Sequence, residues 1–344
     1  MTAPDAVLHA VHRALDGHPL SEGEMRAAVS AIMDGQSNEV AIAAFLTALR
    51  AKGEVAAELV GAARAMRERA TRIPTSRTGL LDTCGTGGDR LHTFNISTAA
   101  AIVVAAAGVP VAKHGNRSVS STSGSADVLE SLGVMINLSA IQVGRCVDEI
   151  GLGFCFAPLL HGAMRHVGPV RRQLGFRTIF NLLGPLTNPA SAEFQLIGTH
   201  DPGMASRMAE ALSQLGSGRA IVVCGADGLD EVSLWGETSV FHVEGNRVRS
   251  ETWTAETLGL PACAVKDLQV NSPQESADRI RHVVANEAGP CRDIVVANAG
   301  AALFVCGQAA TPLEGAEKAA AAIAEGRAAQ KLRDLVAGTA ALSS

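Results

Sequence analysis

The chain has no tyrosine, two tryptophans and nine phenylalanines, so aromatics make up 3% of its 344 residues. That leaves few platforms on which unpaired bases could stack. Basic charge is not in excess either. With 29 Lys and Arg against 34 Asp and Glu the net charge is -5, and no global positive field draws in nucleic acid. The seven cysteines (Cys84, Cys146, Cys155, Cys224, Cys263, Cys291, Cys306) are odd in number, scattered, and form no C-x-x-C pair. Most fall in apolar runs, which reads as buried free thiols in a reducing cytoplasm. The N-terminus lacks the basic start and apolar run of a signal peptide. The longest apolar stretch, Ala99 to Ala107, falls far short of the ~20 residues of a membrane span and reads as a buried helix. Neither a nucleic-acid nor a membrane partner is expected.

What is present is 47% hydrophobic and 18% charged, a globular composition at a length that suits two domains. Residues 1–72 read as helices only. Ser21 and Glu24 form a capping box ahead of Ala27, Ala28 and Ile32. Asn38 caps a helix whose Ile42, Phe45, Leu46 and Leu49 share a face, and Leu59, Ala62, Ala63 and Met66 repeat the pattern. Arg72 to Gly79 gathers Pro, Ser, Thr and Gly and reads as a linker.

From 79 to 344 the texture changes. Leu80–Cys84, Val109–Lys113, Gly153–Ala157, Phe194–Gly198, Ala220–Cys224 and Ile294–Ala297 read as strands. Ile96–Ala107, Ala126–Leu132 and Ala205–Leu215 read as helices between them, and the Ala-rich tail from Gly315 as helix. This alternation predicts an α/β fold: a small all-helical N-terminal domain plus a larger α/β domain with a mainly parallel central sheet flanked by helices. The segment Phe176 to Pro189, apolar but punctuated by Gly and Pro, interrupts the alternation. Helices from about 161–190 are expected to rejoin the first domain, making the α/β domain discontinuous with a cleft between the two.

Ligands of an open parallel sheet bind at the carboxyl ends of its strands, which singles out four segments. Cys84 to Asp89 (CGTGGD) leads through Asn95 to a helix start at Ser97 and Thr98. Its glycines let backbone N–H groups approach a phosphate, and the helix N-terminus adds positive dipole. As an isolated motif it is equally a tight glycine turn, and it has neither P-loop nor dinucleotide spacing. Lys113 to Gly124 (KHGNRSVSSTSG) packs a Lys, a His, an Arg, an Asn and five hydroxyls into one loop, a dense set of donors for phosphate oxygens. Asp227 to Glu231 (DGLDE) offers adjacent carboxylates suited to Mg²⁺; alone it would read as an acidic surface turn. In His161 to Arg172, Arg171 and Arg172 are equally a carboxylate clamp or a solvated helix end. No nucleophile triad and no zinc spacing appears. Phosphate loops, acidic metal ligands and an arginine suit a displacement in which pyrophosphate leaves a sugar.

The strings GTGGD (Gly85–Asp89), TFNIST (Thr93–Thr98), KHGNRSVSS (Lys113–Ser121), SGSADVLE (Ser123–Glu130), FNLLGPLTNP (Phe180–Pro189) and DGLDE (Asp227–Glu231) together resemble the anthranilate phosphoribosyltransferases, in order and over nearly the whole chain. The resemblance implies the fold of the nucleoside phosphorylase class and a homodimer paired through the helical domain. It implies phosphoribosyl pyrophosphate and anthranilate as substrates, two Mg²⁺ ions per subunit, and the second step from chorismate towards tryptophan. It implies donor contacts at Gly85, Gly87, Gly88, Asp89, Thr93, Asn95, Ser97, Thr98, Lys113, Ser120 and Ser121, and metal ligation by Ser97, Asp230 and Glu231. It places anthranilate against Gly85, His114, Asn116, Met164 and Arg171, with Arg171 on its carboxylate. The pattern departs at Arg90, where the family carries glycine, at Gly162, where HPAM becomes HGAM, and at Ser233 to Glu237, where a threonine-rich run is usual.

The acceptor's aryl amine is neutral at pH 7 and needs alignment more than deprotonation, so no indispensable general base is expected; His114 is the candidate if one acts. Three rivals stand beside this reading. A nucleoside phosphorylase on the same scaffold would not need Asp230 and Glu231. A non-enzymatic nucleic-acid-binding relative would need a basic stripe. The third is a transferase with another aromatic acceptor.

Overall fold

A computed structural model of the chain describes residues 3–118 and 123–343. The N-terminal part is four helices, α1 (Ala3–Leu15), α2 (Glu22–Met33), α3 (Glu39–Lys52) and α4 (Ala56–Arg69). The Ser21–Glu24 capping box forms in full, and the Asn38 side chain accepts from Ala41 N–H. Met25, Ile32, Phe45, Leu46, Leu49 and Leu59 interlock as one apolar core.

The chain then lays down β1 (Leu81–Thr83), α5 (Ile96–Ala106), β2 (Val111–Gly115), α6 (Ser125–Leu132), α7 (Ala140–Arg145) and β3 (Leu152–Phe156). Short helices α8 (Ala157–Leu160) and α9 (Gly168–Leu174) are followed by 3₁₀ turns at Ile179–Asn181 and Gly184–Leu186. Then come β4 (Phe194–Gly198), α10 (Pro202–Leu215), β5 (Arg219–Cys224), β6 (Thr238–Glu244) and β7 (Arg247–Trp253). Four helices close the chain: α11 (Pro273–Val284), α12 (Pro290–Val305), α13 (Pro312–Ala324) and α14 (Arg327–Ser343).

The seven strands form one sheet in the order β3-β2-β1-β4-β5-β6-β7. The first five are parallel; β6 and β7 add on antiparallel. After β1 the chain winds to β2 and β3 on one side, then returns across to β4 on the other. The order reverses between β1 and β4, and the crevice at their carboxyl ends is where such a sheet takes its ligand.

One face of the sheet packs on α5, α11, α12, α13 and α14. α5 is buried almost all round (Thr98 to Ala105), as its unbroken apolar sequence requires. The opposite face, through Ile197, Ala220 and Val222, shares a core with α10 and α1–α4. Val167, Val170, Ile179, Phe180, Leu183 and Leu186 join that same core. Three helices start with the same device, a capping side chain followed by proline: Asp201-Pro202, Ser272-Pro273 and Thr311-Pro312.

Two expectations change. Ile294–Ala297 is not a strand but the middle of α12. Pro290 starts that helix, and its apolar run is continuous because the helix is buried on every side, so a four-residue window carries no usable period. The hairpin β6–β7 is absent from the sequence reading. Its signal was the Gly245-Asn246 turn between an alternating strand and a largely exposed one.

Candidate active site

The glycine loop leaves β1 and stays paired with β4: Cys84 N–H donates to Leu196 O (3.2 Å) and Thr86 N–H to Gly198 O (2.8 Å). Two of its glycines make room for side chains. A Cβ on Gly85 would lie 2.7 Å from Asp230 Oδ2, and one on Gly88 would lie 1.9 Å from Arg177 Nη1. Asp230 also accepts Gly87 N–H (2.8 Å), and Arg177 Nη2 donates to Thr86 O (2.9 Å). The loop is held between a carboxylate and a guanidinium. Beyond Asp89, whose Oδ1 accepts Leu91 N–H (3.2 Å), Arg90 sits at φ 60°. That left-handed backbone is the physical reason a glycine suits this position.

The Asp230 loop reaches the glycine loop because Gly198 lets it. A Cβ on Gly198 would lie 1.6 Å from Asp230 O. Behind it, fully buried Asn298 of α12 accepts Val232 N–H (2.8 Å) and donates to Val232 O (3.1 Å), fixing the chain one residue past Glu231. Glu231 in turn accepts Ser97 N–H at the start of α5 (2.9 Å). Lys113, buried in the middle of β2, donates to Thr83 O and lies 3.3 Å from Ser97 Oγ. Asn95 joins two more segments: its Oδ1 accepts from Ser123 and Ser276 hydroxyls (2.7 Å each) and its Nδ2 donates to Ser123 O (3.0 Å). Gly85, Gly87, Asn95, Ser97, Lys113, Asp230 and Glu231 thus meet at one edge. Thr93 lies beside them, bridged to Gln269, and Thr98 is buried in α5. Ser120 and Ser121 lie outside the described residues.

The other wall is built from β2, the 161–172 segment and the turns that follow. His114 Nδ1 lies 3.0 Å from Gly184 O. A carbonyl only accepts, so Nδ1 carries the proton and Nε2 is a bare acceptor. That Nε2 and both nitrogens of His161 are buried without a hydrogen-bond partner, with the two rings 5.1 Å apart. Arg171 stacks over Phe180 (5.9 Å to the ring centroid) and forms no ion pair among the described residues. Met164 is half-buried in a 3₁₀ turn (Gly162–His166) against the helical core. Asn116 is exposed, and its Oδ1 accepts Arg117 N–H (2.8 Å), so it stands apart from the bonded set. At Gly162 an added Cβ would meet nothing within 4 Å. Trp235, in the SLWGE run, donates from its indole to Asp227 Oδ2 (3.2 Å).

Electrostatics divide along the same line. Burial pushes the Asp230 and Glu231 carboxyls up, and neighbouring carboxylates push further. Lys113 and the Ser97 N–H pull Glu231 back towards ionisation. Burial also raises Asp82, beneath the loop, to about 6, against its bonds from Asn188 and His114 N–H. Burial lowers His114 to about 4 and His161 to about 3, so both are neutral at pH 7.

Asp230 and Glu231 each accept a backbone N–H, and Glu231 also lies within hydrogen-bonding reach of the Ser97 hydroxyl. An all-oxygen set that crowds carboxylates until burial and repulsion raise them fits Mg²⁺. Asp82, Cys84 and His114 also cluster, but Asp82 is spent on Asn188 and His114 N–H, and burial pushes the Cys84 thiol up. Sequence reasoning passed over Asp82, His161 as a ring partner, Arg177, Asn188 and Asn298. Only Asp82 left a local signal, a carboxylate inside an apolar strand.

Family comparison places residues 8–70 in the helical bundle domain and residues 77–329 in the a/b domain of a glycosyl transferase family. An anthranilate phosphoribosyltransferase from Laribacter hongkongensis is 52% identical over 95% of this chain and 96% of its own. The crystal structure of anthranilate phosphoribosyltransferase from Thermus thermophilus superposes with a TM-score of 0.90 at 43% identity, covering 96% of this chain and 99% of its own. The Saccharomyces cerevisiae enzyme in complex with PRPP and Mg gives a TM-score of 0.90 at 27% identity over 98% of this chain and 99% of its own.

Proposed function

The chain belongs to the anthranilate phosphoribosyltransferase family, and from that premise we propose that it transfers phosphoribosyl from phosphoribosyl pyrophosphate to the amine of anthranilate. The products are N-(5-phosphoribosyl)anthranilate and pyrophosphate, the second step from chorismate towards tryptophan. The observation that carries this reading is the bonded run Gly87–Asp230 and Glu231–Ser97–Lys113 at the sheet's switch point.

The glycine loop, with Gly85, Gly87, Gly88 and Asp89, receives the donor, and Thr93, Asn95, Ser97, Thr98 and Lys113 flank it. Asp230, Glu231 and Ser97 would hold Mg²⁺, two ions per subunit in this reading, and a bound Mg²⁺ supplies charge neutralisation for pyrophosphate oxygens. The bond from C1′ to the pyrophosphate oxygen breaks, the C1′–N bond forms from the opposite face, and the configuration at C1′ inverts. In this reading Arg171 takes the acceptor carboxylate, and Met164, Gly85, His114 and Asn116 face the acceptor. Holding both reactants in line supplies up to ~7–11 kcal/mol of the barrier. Once the C–N bond has formed, the nitrogen is cationic and strongly acidic and needs no strong base; if a side chain takes its proton, the weakly basic Nε2 of His114 suffices.

The helical unit is read as residues 1–72 joined by the 161–190 turns, and the α/β unit as 79–344. Leu8, Leu15 and Val40 leave an exposed apolar strip on α1 and α3, which supports a homodimer paired there. Light scattering of the purified chain tests it, a monomer mass ending that part. Among the described residues no helix is long and apolar enough to cross a membrane. Seven free cysteines support a cytoplasmic location, and the net charge of -5 supports the absence of a nucleic-acid partner.

The test follows anthranilate fluorescence on adding donor and Mg²⁺. Mg²⁺-dependent loss is expected. A folded chain that consumes no anthranilate with verified donor overturns the reading.

A further inference from the structure

Arg177 belongs to neither of the loops that the sequence marks for the donor. It follows α9, which carries Arg171, and precedes the 3₁₀ turn Ile179–Asn181. That turn is closed by Thr178 N–H donating to Asn181 Oδ1 (3.0 Å). Phe180 of the same turn lies under the Arg171 guanidinium at 5.9 Å. From there Arg177 crosses the cleft to the glycine loop. Its Nη2 donates to Thr86 O at 2.9 Å, and its guanidinium occupies the place a Cβ on Gly88 would need, 1.9 Å from Nη1 and 2.7 Å from Cζ. On its far side the loop is gripped by Asp230, through Gly87 N–H at 2.8 Å and close approach to Gly85.

We propose that Arg177 is a positioning residue that sets the shape of the donor loop from the acceptor side, so that donor affinity depends on what the acceptor segment holds. The route is short and continuous: Arg171 rests on Phe180, Phe180 belongs to the turn that roots Arg177, and Arg177 bonds Thr86. A carboxylate that pulls on Arg171 shifts the pressure on that turn and hence the loop that meets the donor. A planar fork is required, because one face must lie along Gly88 while one N–H reaches the carbonyl; a lysine ammonium does only the second.

This proposal rests on the phosphoribosyl-transfer reading, and its test is separable from it. Donor affinity is measured by calorimetry on the full chain with Mg²⁺ and phosphoribosyl pyrophosphate, with and without benzoate, an aromatic carboxylate that has no amine to react. Steady-state constants for both substrates are taken in parallel. Arg177→Ala is expected to weaken donor affinity at least about tenfold, the scale of a lost charge-assisted hydrogen bond, with a smaller change in acceptor KM. Arg177→Lys recovers little, and added guanidinium restores part of the loss in Arg177→Ala but does nothing for the wild type. Benzoate tightens donor binding in the wild type and leaves it unchanged in Arg177→Ala. Donor affinity within twofold of wild type in Arg177→Ala overturns the proposal. So does an equal loss for both substrates with a lowered Tm and no guanidinium rescue, which would mark a purely structural residue. A wild type that binds donor but consumes no anthranilate sinks the transfer reading instead, and leaves the calorimetric comparison to decide Arg177.

Discussion

The two walls of the cleft are built on opposite principles. On the donor side the polar groups are densely interbonded: Asn95, Ser97, Lys113, Asp230 and Glu231 bond one another or the backbone, and of the flanking hydroxyls Thr98 Oγ1 is buried without a partner among the described residues. On the acceptor side the buried polar groups are underbonded: among the described residues His114 Nε2 and both His161 nitrogens have no hydrogen-bond partner, and Arg171 stacks on Phe180 without an ion pair. A crowded, interbonded wall holds its shape before a ligand arrives and spends little on reorganisation. An underbonded wall costs stability, because buried polar groups without partners are each worth about 1–3 kcal/mol. It regains that only by binding. Rigidity is thus placed where a flexible, highly charged donor must be gripped, and unmet hydrogen-bonding capacity where a small flat acid must be recognised.

The comparison breaks most sharply at Asp230. Asp230→Asn removes a charge from the donor wall and is expected to lower kcat/KM by about 10²–10³-fold, the range for removing a positioned electrostatic group. Its Mg²⁺ requirement should shift with it, and a Mg²⁺ titration superimposable on the wild type would end the ligand assignment. Arg171→Ala, on the other wall, should raise acceptor KM about 10–100-fold, with a smaller rise in donor KM because the pull on the Phe180 turn is lost; equal increases for both substrates remove it from the carboxylate role.

Acid sharpens the contrast. His114 titrates at about 4 in the folded chain against 6.5 when free. Between those values the unfolded chain binds the proton and the folded one does not, so stability falls as pH drops from about 6.5 to 4, by about 3 kcal/mol for this residue. His161 acts in the same sense. Asp82 opposes them: its folded value of about 6 makes the folded chain the tighter proton binder below that pH. Urea titrations at pH 7 and 4.5 should show His161→Phe with a smaller pH dependence than the wild type; identical slopes would contradict the buried neutral ring. The smallest effect is at Arg90. Arg90→Gly relieves a left-handed backbone and should add about 1 kcal/mol; a lowered Tm would mean the arginine side chain contributes more than its strain costs.

Much of this was legible in the sequence, for reasons that individual residues make plain. The parallel strands are buried on both faces, so Phe194–Gly198 and Ala220–Cys224 appear as short, largely apolar runs that end at or just before a glycine. Helix starts carry their caps in sequence. The donor wall was visible because its residues come in contiguous strings. What could not be read is what distance in sequence hides. Asn298 fixes the Asp230 loop from α12, Asn188 bonds Asp82 from across the sheet, and Arg177 presses on Gly88 from the opposite wall. Each is an ordinary polar residue whose partner is set only by the fold. Ile294–Ala297 was misread because a helix buried all round carries no stripe.

The hairpin that closes the sheet has a consequence remote from chemistry. β7 leaves one row of backbone groups facing water, an open template on which a second chain could lay a strand. Residues Arg247 to Thr252 are all exposed and include Arg247, Arg249 and Glu251, with Arg249 paired to Glu251 at 3.3 Å. An approaching strand would have to strip water from those charges before gaining a backbone bond. Strand addition at the border farthest along the sheet from β3 is thus opposed by a handful of surface charges.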